Sequence, residues 1–452
     1  MMKYLFLIVS IVVTFFFFKN KNIMFNIIFQ NLFILVMIMF YINYAHMNLN
    51  LLDYYSINSM FGVDYFSFWM IMLSFWIIIL MMLASMSVVN SNKFLFIFIM
   101  NLMFMILMLI MTFSVLNFMS FYLLFESCLI PTLFLILGWG YQVERIQAGI
   151  YMMMYTMFFS LPLLFILFYV AEDLGSLDMI YINYNKAGAF ESCFSMLVYT
   201  AFLVKVPMFM LHTWLPKAHV EAPVAGSMVL AGVMLKLGGY GIYRVVFAME
   251  GCQEINFYIG CYSIIGAIYL SLVCLRQVDM KALVAYSSVV HMSLMIGGLM
   301  SMEYIGVQGA LLMMISHGLC SSGLFCVVNM FYERSASRSL IINKGMLIYS
   351  PVMMFMWFML CVDNMSAPPS LNLVSEIFLL ISLVSWVPGV FLLLMMLLFL
   401  SGCYSLYLYA YVCYGKSLGV FSFKIFSVRE YMLIIAHLFP LNLFILKIDM
   451  IL

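Results

Sequence analysis

Long apolar runs repeat along the whole chain, and only short polar segments separate them. Of its 452 residues, 67% are hydrophobic and 8% are charged. A helix needs about 20 apolar residues to cross a bilayer, and lipid offers no hydrogen-bond partner to an unpaired backbone group. The pattern therefore predicts an all-α, polytopic membrane protein. It excludes a soluble globule, whose surface requires far more charge.

Apolar runs bounded by turn signals predict about 14 transmembrane helices. We expect one transmembrane domain over 1–452, with helices one to four in 1–111, a first half-bundle in 113–247, a second in 256–413 and a last helix in 431–452. The predicted helices, in chain order, are 4–18, 23–42, 60–83, 94–111, 113–137, 146–170, 192–214, 224–247, 256–275, 282–300, 304–331, 347–386 (interrupted), 389–413 and 431–448.

Basic residues are distributed unevenly between the loops on the two sides of these helices. Loops after odd-numbered helices carry 13 of the 19 Lys and Arg residues, and acids favour the other side. Lys and Arg remain on the side from which a membrane protein is inserted. The bias places the odd-numbered loops in the matrix or cytoplasm and both termini on the opposite side.

Five ionisable residues lie near the middle of predicted helices, where a charge costs roughly 2.5–3.5 kcal/mol on insertion scales. A chain that accepts this cost repeatedly is expected to move or sense charge, although static ion pairing is the alternative. These residues are Glu126, Lys205, Lys236, His317 and Glu376.

Two of the predicted helices are interrupted by proline. Pro207 follows Lys205 in LVKVPMF, and Pro368-Pro369 precedes Glu376 in MSAPPSLNLVSEIF. Proline lacks an N–H and frees a carbonyl, which polar groups or water must then satisfy. Broken helices seven and twelve, each with an ionisable group beside the break, are typical of inverted-repeat transporters.

Histidines provide further titratable groups near neutral pH. His317 and His291 lie in neighbouring predicted helices and either relay protons or simply bond to backbone carbonyls. The segment LHTWLPKAHVEAPVAGS places His212, His219 and Glu221 near one membrane surface. A proton entry route and a solvated, hydrogen-bonded loop both fit this segment. A metal site lacks the H-E-x-x-H or Cys/His pattern that would support it.

Several motifs are missing from the sequence. It has no G-x-G-x-x-G after a strand, no G-x-x-x-x-G-K-[ST], and no C-x-x-C among its ten cysteines. We therefore expect no nucleotide, redox cofactor or metal in this chain, and cysteines that act as small buried apolar residues. A net charge of +1 gives no reason to expect nucleic acid. Energy for any pumping must come from partner proteins.

Four stretches resemble the NADH dehydrogenase subunit 4 family, the antiporter-like subunits of mitochondrial respiratory complex I. They are FESCLIPTLFLILGWGYQVERIQAGIYMMMYT, LPKAHVEAPVAGSMVLAGVMLKLGGYGIYR, LRQVDMKALVAYSSVVHMSLMIGG and APPSLNLVSE, and the similarity extends over roughly 113–386.

The resemblance implies a role for each of the five buried residues. Glu126 and Lys205 match the family's Glu–Lys pair, Lys236 its central lysine, His317 its helix-eleven histidine and Glu376 its terminal glutamate. Glutamate at the last position favours subunit 4 over its two sister subunits, which resemble it but carry lysine there. Ser375 departs from the pattern, since a glycine is expected before that glutamate.

The resemblance also implies a proton-translocating subunit of NADH:ubiquinone oxidoreductase in the mitochondrial inner membrane, with both termini in the intermembrane space. Its expected partners are the two sister antiporter-like subunits, accessory subunits and lipid such as cardiolipin. NADH, FMN, iron–sulfur clusters and ubiquinone would be bound by other subunits. A free-standing cation/proton antiporter is the competing hypothesis, and a receptor or scaffold would not explain the buried charges.

Overall fold

The computed structural model describes residues 29–36, 60–91, 94–184, 192–249, 251–416 and 424–451. Within these ranges the chain is helical, and its only β-type pairings are isolated bridges between loops. The predicted helix 4–18 lies outside the described residues. Only 29–36 of the predicted helix 23–42 is described, and it is helical.

Eighteen α-helices follow residue 60 in the described part of the chain. They are α1 Tyr65–Ala84, α2 Met86–Ser91, α3 Leu95–Ser114, α4 Phe118–Ser127, α5 Leu129–Trp139, α6 Arg145–Leu174, α7 Met179–Tyr184, α8 Ser192–Lys205, α9 Trp214–Glu221, α10 Val224–Val229, α11 Leu235–Val246, α12 Gln253–Leu275, α13 Met280–Met300, α14 Tyr304–Ser335, α15 Pro351–Asn364, α16 Leu371–Trp386, α17 Phe391–Cys413 and α18 Val428–Leu443. A π-helical segment, Leu230–Met234, joins α10 to α11, and 3₁₀ turns occupy Phe247–Met249, Pro388–Val390 and Phe444–Met450.

These helices confirm the predicted fold class. Ten of the helical segments in the described residues are long and apolar enough to cross a membrane, and three shorter apolar helices accompany them. Two of the shorter helices, α15 and α16, form the broken helix twelve. The third, α8, is the first part of the broken helix seven. The inverted-repeat relation and the division into half-bundles remain predictions.

Two of the predicted helices are interrupted in the structure, one of them where the sequence predicts no break. The segment predicted over 113–137 begins at Phe118 and is interrupted at Cys128, because Pro131 has no N–H to donate to the carbonyl of Ser127. The predicted break in helix seven is observed, but the first part of that helix ends at Lys205, well before the predicted end at residue 214. Trp214 instead begins α9 and donates its indole N–H to the carbonyl of Val204 at 2.9 Å.

Contacts between loops support the predicted alternation of membrane crossings. On one face, Asp279 pairs with Ser339 and Arg338 lies 3.7 Å from Glu221. On the other face, Phe61 pairs with Val115, and Asn117 pairs with Asp178. Each of these contacts joins two loops, or the first residues of predicted helices, that the predicted count assigns to the same side.

The central helices of the bundle differ from the peripheral ones in burial. The most apolar stretches of Val224–Met249 and Tyr304–Ser335 are fully buried, whereas only 33% of the corresponding stretch of α6 is buried. Large side chains such as Phe158, Phe165 and Phe399 point outward from the peripheral helices α6 and α17. An apolar exposed surface is what lipid contact requires. The ionisable residues Lys236 and His317 are on the central helices.

Candidate functional site

Lys205 and Glu126 meet where two interrupted helices pass each other. Lys205 is the last residue of α8, and its ammonium group donates to the carbonyl of Phe125 at 2.5 Å. The same Nζ atom lies 4.0 Å from Oε1 of Glu126 and above the Phe125 ring. Lys205 is buried, but the Glu126 side chain is 18% exposed, and neither of its oxygens has a hydrogen-bond partner within the described residues. The predicted pair is therefore present but loose.

The break after Lys205 follows from the local sequence. Pro207 cannot donate a hydrogen bond, and Met208 N–H instead reaches back to the carbonyl of Leu203 at 3.1 Å. A helix carries partial negative charge at its C-terminus, which stabilises a cation there. The broken helix thus places Lys205 at a position that favours its positive charge.

Lys236 and His317 are in direct contact at the centre of the bundle. Nζ of Lys236 lies 3.0 Å from Nδ1 of His317 and donates to the carbonyl of Ala231 at 2.6 Å. Ala231 belongs to the π-helical segment, where the regular α-helical bonding pattern is interrupted. Both side chains are buried. The two helices lie so close together that a Cβ atom on Gly318 would be only 3.2 Å from the carbonyl of Gly232.

His291 connects this lysine–histidine pair to Glu376. Its Nδ1 lies 3.4 Å from Oε1 of Glu376, and its ring centroid is 5.6 Å from that of His317. Its Nε2 lies 3.2 Å from the hydroxyl of Tyr404, and the Ser366 hydroxyl donates to Oε2 of Glu376. Four predicted residues, Lys236, His317, His291 and Glu376, therefore form one buried polar chain, which we call the central chain.

Among the described residues, no ion pair or hydrogen bond joins the Glu126–Lys205 pair to the central chain. The helices that carry the two lysines nevertheless cross tightly between them. A Cβ on Gly238 of α11 would lie 2.9 Å from the backbone nitrogen of Val206 and 3.0 Å from the carbonyl of Phe202. The two groups are therefore separate sites on adjacent helices.

The predicted entry residues lie around α9, without a polar link to Lys236. His212 lies in the break of helix seven and stacks on Phe209, with ring centroids 6.0 Å apart. His219 is buried and stacks on Phe325 at 4.6 Å, with neither ring nitrogen hydrogen-bonded within the described structure. Glu221 is buried and lines a surface cavity of about 330 Å³.

Sequence reasoning missed several polar residues at the site. Tyr404 and Ser366 are ordinary residues of an apolar helix and a turn, and no sequence signal distinguishes them. The predicted helix 282–300 leaves Lys281 in a loop, but Lys281 lies in the first turn of α13. It is buried and donates a hydrogen bond to the carbonyl of Ala222 at 3.1 Å. Arg244 is also buried, in a salt bridge with Asp64. Burial raises the pKa of Asp64, which precedes the first turn of α1, and the positive charge of Arg244 opposes that shift.

This architecture, a helical membrane bundle with broken helices and a buried chain of bases and a carboxylate, defines a membrane protein of the proton- or cation-transporting class. Two family models match the chain: NADH-ubiquinone oxidoreductase chain 4, amino terminus, over residues 1–112, and NADH:quinone oxidoreductase/Mrp antiporter, TM, over residues 115–401. The chain therefore belongs to the NADH-ubiquinone oxidoreductase chain 4 family.

Relatives support this assignment, and one solved structure shares the fold. The chain is 49% identical to NADH-ubiquinone oxidoreductase chain 4 of Aedes aegypti, covering 99% of this chain and 98% of that protein. It is 48% identical to that of Ceratitis capitata, with 93% of each chain covered. Its fold is similar to a chain of respiratory complex I from Thermus thermophilus with bound NADH, with a TM-score of 0.85, 19% identity, and 97% and 94% of the two chains covered.

Proposed function

We propose that this chain is a membrane subunit of NADH:ubiquinone oxidoreductase in the mitochondrial inner membrane and carries protons along the central chain. The observation that carries the proposal is the series of short contacts from Lys236 through His317 and His291 to Glu376. These are groups that bind and release protons, and they are placed in succession where water alone would be needed to bridge the remaining gaps.

The transfer can be written as a sequence of proton movements. The ammonium group of Lys236 donates a proton to Nδ1 of His317 and becomes a neutral amine. A proton then passes from His317 to His291, through a water molecule in the space between the two rings. His291 gives a proton to the carboxylate of Glu376, which becomes a neutral acid. Release of the proton from Glu376 and reprotonation of Lys236 then reset the chain.

The Glu126–Lys205 pair would control this sequence through its charge. Two unit charges 4.0 Å apart interact by about 4 kcal/mol at an effective dielectric constant of 20. Moving one charge against 100 mV costs about 2.3 kcal/mol. The Glu126–Lys205 interaction is therefore comparable in size to the energy of one transported charge, and opening or closing this contact is the step that would alter protonation of Lys236 on the adjacent helix.

Protons would enter from the face that carries most basic loops, which we assign to the matrix, and both termini would then lie in the intermembrane space. The buried Glu221 lines a surface cavity together with Glu144, Lys217 and Tyr286. His219 is buried on the same helix as Glu221, and neither of its ring nitrogens has a hydrogen-bond partner within the described structure. We propose Glu221 and His219 as entry groups, and His212 as a further proton-binding group in the break of helix seven.

The same proposal places the redox chemistry in other proteins. NADH, FMN, iron–sulfur clusters and ubiquinone would be bound by other subunits, and this chain would lie between two sister antiporter-like subunits, with accessory subunits and phospholipid such as cardiolipin around it. The curated relatives reported above are named as oxidoreductase chains, which disfavours the hypothesis of a free-standing cation/proton antiporter.

The direct test is the Lys236→Met variant in the assembled enzyme, reconstituted into sealed vesicles. Methionine keeps the length of the side chain and removes its proton, so protons translocated per NADH oxidised are expected to fall. The exposed Lys447→Met variant is the matched control and should translocate as the unmodified enzyme does. Unchanged translocation in Lys236→Met would refute the proposal. Sodium-dependent proton exchange by the isolated chain would support the antiporter instead.

A further inference from the structure

The break in helix twelve carries a second buried carboxyl group that the central chain does not include. Asp363, in the last turn of α15, is 1% exposed. Its backbone carbonyl accepts a hydrogen bond from the side-chain amide of Asn372 at 2.6 Å, but its Oδ2 atom has no hydrogen-bond partner in the described part of the chain. The carboxyl group is therefore enclosed and only partly satisfied.

Within the described residues, no cation contacts Asp363 from the helices packed against it. On α18, Asn442, with its amide nitrogen turned toward α15, donates to Oδ1 of Asp363 at 3.2 Å and to the carbonyl of Pro369 at 2.6 Å. On α14, the thiol of Cys320 contacts the carbonyl of Leu360 at 3.5 Å. No salt bridge to Asp363 occurs among the described residues. An uncompensated charge is costly in such a place, so this site favours a neutral, protonated acid.

The remaining titratable groups of these helices have other partners or face elsewhere. His437 of α18 is buried and is bonded through Nδ1 to the carbonyl of Leu433 in its own helix at 2.8 Å. Glu376 of α16 contacts His291 and Ser366. The two carboxyl groups, Asp363 and Glu376, are thus the acids that flank the break, one on each half of helix twelve.

Ser366 contacts both acidic residues. Its backbone N–H donates to the backbone carbonyl of Asp363 at 3.2 Å, and its hydroxyl donates to Oε2 of Glu376. Two more buried oxygens beside the break, Oγ of Ser370 and Oδ1 of Asn372, have no hydrogen-bond partner in the described residues. Buried polar atoms of this kind are positions at which bound water is held.

We propose that Asp363 is a further proton-carrying residue, which exchanges a proton with Glu376 across the break. In this step, which rests on the proposed function, a proton leaves the Asp363 carboxyl group for a bound water molecule. That water protonates the Ser366 hydroxyl as the hydroxyl releases its own proton to the Glu376 carboxylate. Asp363 becomes a carboxylate and Glu376 an acid, and the reverse step restores both. Asn442, whose side chain is only partly buried, extends this route toward the surface of the bundle.

The test compares Asp363→Asn with the exposed control Asp449→Asn in the assembled, reconstituted enzyme. Infrared difference spectra between the resting and NADH-reduced enzyme report protonated carboxylic acids directly. The proposal requires a carboxylic acid band that changes on reduction, is lost in Asp363→Asn and is retained in Asp449→Asn. It also requires fewer protons translocated per NADH oxidised in Asp363→Asn alone.

The outcomes separate this inference from the proposed function. If Lys236→Met stops translocation by this chain but Asp363→Asn leaves both the band and translocation unchanged, the role of Asp363 is wrong and the central chain stands. A lost band with unchanged translocation would make Asp363 a structural acid and would also overturn the inference. If Asp363→Asn does not assemble, Ser366→Ala removes the bridging hydroxyl alone, and unaltered translocation and an unaltered Asp363 band in that variant would be equally decisive against it.

Discussion

The breaks in helices seven and twelve carry residues of opposite charge. One residue lies at the end of a helix, and the other lies near the start of a helix. At the first, Lys205 ends α8, and at the second, Glu376 lies in the second turn of α16. Partial negative charge at a helix C-terminus stabilises a cation there, so the first break favours the charge of Lys205, whereas Glu376 lies beyond the first turn of α16 and depends on its side-chain partners. Breaking a helix is thus a way to place a charge at bilayer depth with part of its cost offset.

The two breaks differ in how firmly their charges are bound. Glu376 has two close side-chain partners, His291 and Ser366, whereas Glu126 lies 4.0 Å from Lys205 and accepts no hydrogen bond in the described residues. The Glu126–Lys205 contact, in which Glu126 accepts no hydrogen bond in the described residues, can open and close, whereas the central chain provides a series of proton-binding groups. The difference indicates that the Glu126–Lys205 pair controls proton transfer and that the central chain, which ends at Glu376, carries the protons.

The largest expected effect on proton translocation comes from interrupting the central chain at Glu376. Glu376→Gln keeps the shape of the side chain but cannot accept a proton, and the loss of a positioned acid or base costs about 10²-fold in transfer rate. Proton translocation per NADH oxidised by the reconstituted enzyme measures it. The exposed Glu254→Gln variant is the control. Translocation by Glu376→Gln equal to that of the control would mean that protons bypass the second break.

The close approach between the end of α8 and α11, which carries Lys236, is tested by Gly238→Ala. An added Cβ would lie within 3.0 Å of backbone atoms of Val206 and Phe202, so it forces α8 and α11 apart and should destabilise the protein by about 1–3 kcal/mol. Thermal unfolding of the assembled enzyme measures this change. Gly402, with no atom within 4 Å of such a Cβ, provides the control, because Gly402→Ala should improve stability slightly through helix propensity. Equal behaviour of the two variants would show that the helices are not in tight contact.

A smaller effect is expected at the loose pair. Glu126→Gln removes the charge that faces Lys205 without opening a cavity, and a loss of about 1.4 kcal/mol would slow translocation about tenfold. The double variant Glu126→Gln, Lys205→Met should be no slower than Lys205→Met alone, because residues that act as one unit are not additive. Additive losses would show that each residue acts independently and would remove the controlling role assigned to the pair.

The sequence predicts where the charges lie better than which of them touch. Pro207 and Pro368-Pro369 mark the two breaks because proline cannot complete a helix, and both predicted breaks are observed. The contact of His291 with Glu376 could not be predicted, since it depends on how α13 crosses α16. Lys281 was misplaced because the helix begins two residues earlier than its apolar pattern indicates.

Tyr404 provides the smallest and most selective test of the central chain. Its hydroxyl lies 3.2 Å from Nε2 of His291, so Tyr404→Phe removes one neutral hydrogen bond, worth about 1 kcal/mol, and leaves the ring packing intact. Because that bond fixes the histidine's orientation toward Glu376, translocation should slow about fivefold. Tyr411→Phe, on the same helix but 43% exposed, is the control. A Tyr404→Phe enzyme with an unchanged translocation rate and an unchanged pH profile would show that Glu376 alone orients His291, and the central chain would then consist only of its charged and basic groups.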